Sequence, residues 1–169
     1  MSSCFSIRLF LTILRKQQTR KINYRNLNHA IRILLAEDDE DDIFIFEQAL
    51  LEIGYPVDLK VVRDGSDVME QLSNDIPPDL VFLDINMPKV NGIECLQIIK
   101  RSIGLPRVPI IFLSTNASGI LIEEVKTTGA QGYIAKPNSI YNLILVLTSV
   151  IQLDWTLRRH SDFFLHTNT

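Results

Sequence analysis

The stretch "RILLAEDDED", residues 32–41, decides how the rest of the chain is read. An apolar run from Ile33 to Ala36 leads directly into an unbroken run of acids that begins Glu37, Asp38, Asp39, Glu40 and Asp41. Like charges at this spacing cost free energy unless solvent, a cation or a proton relieves them. Asp41 and Asp42 open a segment with apolar residues at Ile45, Phe46, Ala49, Leu50 and Ile53, the spacing of a helix with one buried face. Carboxylates at a helix start are favoured by its dipole, so residues 39–42 read mostly as a solvated helix start. Glu37 and Asp38 come straight off the apolar run and have no such outlet. They are candidates for one wall of a cation site.

Working outward, apolar runs alternate with helical patterns from residue 31 onward. Strands are expected at 31–36, 58–63, 80–84, 108–114 and 132–135, and helices at 41–53, 66–73, 93–102, 120–128 and 139–157. "IRILLA", "LVFLD" and "PIIFLS" are nearly continuous apolar runs, as parallel strands covered on both faces require. Breakers separate the elements: "GYP" at 54–56, "DIPPD" at 75–79, "GLPRVP" at 104–109, "TTGAQG" at 127–132 and "KPN" at 136–138. The expected architecture is an α/β three-layer α/β/α sandwich around a five-stranded parallel sheet. Sites in such sheets form beyond the carboxyl ends of the strands.

At 169 residues and 46% hydrophobic content, the chain supports one sizeable core. Residues 31–153 are expected to form that domain and 154–169 a C-terminal tail. Cys4 and Cys95 are far apart and outside any metal-binding spacing, which suggests a reducing, cytoplasmic setting, with Cys95 a small core residue. The net charge of -3 hides an asymmetry: residues 1–30 hold Arg8, Arg15, Lys16, Arg20, Lys21 and Arg25 and no acid. The acidic remainder argues against nucleic acid as its partner. Residues 1–30 read as a basic extension, poorly ordered or accessory. Their apolar part, 5–14, is too short to span a membrane and lacks a secretory cleavage site.

The residues that follow each strand gather the chemistry. The first strand ends in Glu37 and Asp38, the third in Asp84, the fourth in Ser114 and Thr115, and the fifth runs into Lys136 and Pro137. Carboxylates are the hard oxygen ligands that Mg2+ prefers. One further carboxylate can attack phosphorus, and a hydroxyl and an ammonium can hold the transferred oxygens.

"ILLAEDD", "VFLDINMPKVNG", "IIFLST" and "GYIAKP", in this order, resemble the receiver domain of two-component response regulators, in particular stand-alone ones of the chemotaxis-regulator kind. The resemblance covers residues 31–153 and implies a flavodoxin-like strand order 2-1-3-4-5. It implies that Asp84 is the phosphoacceptor, with Mg2+ held by Glu37, Asp38, Asp84 and the backbone carbonyl of Asn86. Ser114 would be the switch hydroxyl, Lys136 the phosphoryl-pairing lysine, and Tyr133 the aromatic that turns on phosphorylation. A cis bond is expected before Pro137.

The implied protein is a phosphoacceptor in a phosphorelay and not an enzyme in its own right, catalysing only its own phosphorylation and dephosphorylation. A histidine kinase would supply the phosphoryl group and a downstream protein would read the result. The last helix carries apolar residues round most of its girth, Leu145, Val146, Leu153 and Leu157 beside Ile140, Leu143, Ile144, Leu147 and Ile151. That pattern suits a homodimer or partner surface, or cover by the N-terminal extension. The alternative function is a phosphorylation-independent interaction module of the same shape. A dehalogenase-type phosphatase is disfavoured because Asn86 stands where a second acid is needed. A flavin carrier is disfavoured because acids stand where a phosphate loop is needed.

Overall fold

The computed structural model describes residues 30–155, 157, 158 and 162–167. Residues 1–29, and with them nearly all of the basic extension, lie outside the described residues. The elements run β1 (Ile31–Ala36), α1 (Glu40–Ile53), β2 (Val57–Val62), α2 (Gly65–Leu72), β3 (Leu80–Leu83), α3 (Gly92–Arg101), β4 (Ile110–Ser114), α4 (Gly119–Thr128), β5 (Gly132–Ala135), α5 (Ile140–Ile151) and β6 (Phe164–His166). The sheet order is 2-1-3-4-5-6, with every neighbouring pair parallel.

Alternation along the strands divides the core into two layers. Ile33, Leu35, Leu80, Phe82, Ile111, Leu113 and Ile134 face α1 and α5, whose Phe46, Leu50, Leu143 and Leu147 close over them. Leu34, Ala36, Val81, Leu83, Ile110, Phe112 and Tyr133 face the side that holds Val68, Leu72, Leu96 and Val125 of α2, α3 and α4. Phe46 meets Phe82 edge to face, with centroids 5.1 Å apart at 68°. Such a pair adds about 0.5–1.5 kcal/mol beyond its buried area.

Local chemistry sets the helix ends. Asp39 caps α1 by accepting from the N–H groups of Asp41 and Asp42, and Gly54 ends that helix with φ of 67°, a conformation glycine adopts without strain. Ile43, not Ile45, completes the buried face of α1; Ile45 is exposed. Asn91 and Glu94 form a reciprocal capping box on α3.

The structure departs from expectation in the last third of the chain. The final helix stops at Ile151 and does not run on to 157. The Trp155 indole N–H donates to the carbonyl of Val150 at 3.0 Å, satisfying a helix-end acceptor and turning the chain. The tail then adds a sixth strand. Phe164 N–H donates to the Gln131 carbonyl at 2.9 Å, and β6 pairs with β5. This requires glycine at 132, since a Cβ there would meet Phe164 Cβ and its carbonyl oxygen at 2.9 Å. Trp155 and Phe164 pack on the core layer that contains Val146 and Val150, so part of the girth of α5 is used within the chain itself. Ile140 is exposed, and so is Leu157. The Lys136–Pro137 bond is trans, not cis as expected. An X–Pro amide favours trans by about 0.5–1 kcal/mol, and the cis form persists only where surroundings impose it.

Cys95 is fully buried, and burial pushes its thiol up to about 12. Only the thiolate alkylates readily. Peptide mapping after iodoacetamide treatment at pH 8 is expected to find Cys95 unmodified in the folded protein and fully modified in urea. Ready modification of the native protein would contradict this packing.

Candidate functional site

Parallel pairing brings the strand ends to one edge. The Asp84 N–H donates to the Ala36 carbonyl at 2.9 Å, and the Lys136 N–H to the Ser114 carbonyl at 2.8 Å. Glu37 and Asp38 therefore lie beside Asp84, and Ser114 beside Lys136. Oxygens of Glu37, Asp38 and Asp84 all lie within 4.8 Å of one another. Glu37, Asp84 and Ser114 are buried, whereas Asp38 is exposed.

Lys136 supplies the positive charge. Its Nζ lies 2.7 Å from Glu37 Oε2, 2.7 Å from Asp42 Oδ2 and 3.2 Å from Asp84 Oδ1. Burial works against the ammonium, but its hydrogen bonds to Asp42 and Glu37 outweigh this and hold its pKa above the usual lysine range. Burial raises Glu37 to about 7 against the opposing pull of Lys136. Asp84 Oδ2 accepts from the Asn86 N–H at 2.6 Å, which orients the carboxylate. The donor set is three carboxylates with hard oxygens, open to solvent at Asp38, and it fits a divalent cation such as Mg2+.

A hydrogen-bonded chain leads away from this edge. Ser114 Oγ accepts from the Asn116 N–H at 3.3 Å, and the Asn116 carbonyl accepts a short hydrogen bond from the Tyr133 hydroxyl. Tyr133 is wholly buried, so its ring is turned inward in this structure.

Sequence reading brought Glu37, Asp38, Asp84, Ser114, Tyr133 and Lys136 to this region, and the fold gathers them there. Asn86, two residues past Asp84, is exposed beside them. Two features were missed. Asp42, read as a solvated helix residue, instead reaches Lys136. Asp64, two residues past β2 in "VVRDG", caps α2 and pairs with Lys89 Nζ at 2.5 Å, while the Gly65 N–H donates to the Val90 carbonyl at 3.1 Å. These contacts fasten the loop after β3, in which Lys89 takes a left-handed backbone with φ of 59°. The acid at the end of β2 was a visible signal; the reach of Asp42 was not. A small cavity lined by Arg32, Asp58, Lys60, Gln71, Asn74 and Pro78 lies at the other end of the strands and has no part in this site.

Comparison with known proteins agrees with this fold. Residues 33–148 match the response regulator receiver domain, and the chain belongs to that family of two-component signalling proteins. It is 31% identical to the phosphorylated cyanobacterial phytochrome response regulator RcpA, with a TM-score of 0.65, covering 72% of this chain and 91% of that one. It is 25% identical to the Mn(2+)-bound response regulator Rcp1, with a TM-score of 0.64, covering 76% of this chain and 96% of that one. It is also 30% identical over 141 residues to the peroxide stress-activated histidine kinase mak1 of Schizosaccharomyces pombe, covering 80% of this chain but 8% of that protein. The transcriptional regulatory protein YrkP of Bacillus subtilis is 39% identical over 110 residues, 65% of this chain and 45% of that protein. The chain thus spans less than half the length of these two relatives. No helix among the described residues is long and apolar enough to cross a membrane.

Gly92 packs directly on the backbone of Asp84, and a Cβ there would overlap the Asp84 carbonyl oxygen. Gly92→Ala is expected to lower stability in urea unfolding by about 1–3 kcal/mol, since a backbone neighbour cannot move aside cheaply. It is also expected to shift the Asp84 amide resonance. An unchanged midpoint and spectrum would show that this contact does not hold Asp84.

Proposed function

We propose that this chain is a phosphoacceptor switch that takes a phosphoryl group onto Asp84 from a histidine kinase in a Mg2+-dependent reaction and passes the signal to a protein partner. The observation that carries this reading is the Lys136 ammonium 3.2 Å from Asp84 Oδ1, in a cluster whose acids otherwise repel an incoming phosphate. RcpA is described as phosphorylated and Rcp1 as Mn(2+)-bound, which supports the same chemistry here.

In the proposed step an Asp84 carboxylate oxygen forms a bond to phosphorus as the P–N bond to the kinase imidazole breaks. The electron pair leaves on the imidazole nitrogen, which is then protonated. The Asn86 N–H holds one carboxylate oxygen and so aims the other. Lys136 takes up charge on the phosphoryl oxygens, and the buried Ser114 hydroxyl would donate to another of them. Glu37, Asp38, Asp84 and the Asn86 carbonyl would hold Mg2+, which when bound supplies charge neutralisation at the transferring group.

Phe44, Ile45 and Leu51 are exposed apolar residues of α1, the helix that opens beside the acids. We assign the kinase contact to it. The output surface is assigned to α4 and β5, because Tyr133 packs in the layer with Val125 and the rest of α4 is largely exposed. Self-association through α5 has a narrower strip than the sequence pattern implied, since Val146 is core. A second reading, a module that works without phosphorylation, is favoured by one observation: Tyr133 already lies inward.

The two readings separate on incubation with Mg2+ and acetyl phosphate. Intact mass is expected to rise by one phosphoryl group in the wild type and not in Asp84→Asn, with the Tyr133 resonances shifting only in the wild type. A wild-type mass that never changes, with a histidine kinase also failing, would favour the phosphorylation-independent module.

A further inference from the structure

Asp42 has no part in the step above, yet its Oδ2 lies 2.7 Å from Lys136 Nζ, as close as Glu37 and closer than Asp84 at 3.2 Å. An ammonium has three protons to donate, and three carboxylates from the β1–α1 loop, the first turn of α1 and the end of β3 surround this one. They are not equivalent. The Glu37 and Asp84 side chains are 3% and 5% exposed, whereas that of Asp42 is 38% exposed and keeps contact with water. Releasing a cation costs a hydrated carboxylate far less than a buried one, so Asp42 is the partner that can let go. Nor does α1 need its side chain, because Asp39 is the cap and Glu40 and Asp41 also place charge in the first turn.

We propose that Asp42 is a positioning residue that competes with the phosphoryl group for Lys136. It holds the ammonium toward α1 until the phosphoryl oxygens draw it across. Glu37 is engaged elsewhere in the phosphorylated state if it helps to hold a cation, which leaves Asp42 as the competing acid. The apparent affinity for a phosphoryl-like ligand is then reduced by the fraction of time Lys136 spends on Asp42. The inference rests on Asp84 being the phosphoacceptor.

The test uses the full chain in saturating Mg2+, titrated calorimetrically with beryllofluoride as the phosphoryl mimic. Asp42→Asn is expected to bind about five- to tenfold more tightly than wild type, because Lys136 is released. Asp42→Glu, which keeps a carboxylate within reach, is expected to stay within about twofold of wild type. Asp41→Asn removes the same charge one residue away and is expected to change affinity by less than about twofold, since exposed charges are well screened. Equal or weaker binding by Asp42→Asn, or the same gain in Asp41→Asn, would overturn the proposal while leaving the phosphoacceptor reading intact. A wild-type chain that does not bind beryllofluoride would overturn both.

Discussion

One lysine ammonium set among four acids is the constraint on which the rest of this structure turns. Glu37 and Asp84 are buried where an unpaired carboxylate would cost several kcal/mol, about the margin by which a small domain is stable. Lys136 offsets that cost from the far side of the sheet, reaching from the end of β5 to acids that follow β1 and β3. It can do so only because the strand order puts β1 beside β3 and all strands are parallel, so that every one of them ends at the same edge. The two apolar layers hold the strands in that order. The charge cluster explains why this edge has the residues it has.

The same edge is tied mechanically to a surface some distance away. Ser114 Oγ accepts from Asn116, and the Asn116 carbonyl accepts from Tyr133, so two hydrogen bonds link Ser114 to a buried ring and would pass on a displacement of it. Tyr133 in turn packs in the layer that carries α4, the helix with the fewest buried residues. A ligand moves such an element only by binding its two arrangements unequally. On the proposed function the phosphoryl group would do so by attracting Ser114 and Lys136, with the inward Tyr133 as one of two arrangements.

How much of this was legible in the sequence follows from the range of each interaction. Runs such as "LVFL" and "IIFLS" mark buried parallel strands by themselves, and whatever follows them must gather at one edge. Glu37, Asp38, Asp84, Ser114 and Lys136 could therefore be grouped without exact boundaries. Asp42 could not, because helical spacing explains it equally well as a surface acid, and its contact with Lys136 spans 94 positions. The sixth strand was hidden for a similar reason. Phe164, Leu165 and His166 are too few to show a period, and their place depends on Gly132 leaving room. The end of α5 was misjudged because Leu153 and Leu157 continue the apolar pattern, while the Trp155 indole caps the helix.

The most direct test of the charge account is a Mg2+ titration of thermal stability in the wild type and in Asp38→Asn. If the acids are held together against their own repulsion, the metal-free variant melts above the metal-free wild type. Mg2+ then raises the wild-type Tm with the logarithm of its concentration, stabilising the fold by about 1.4 kcal/mol at ten times its Kd, and leaves the variant almost unmoved. A wild-type Tm that ignores Mg2+, or a variant that responds as strongly as the wild type, would contradict the account.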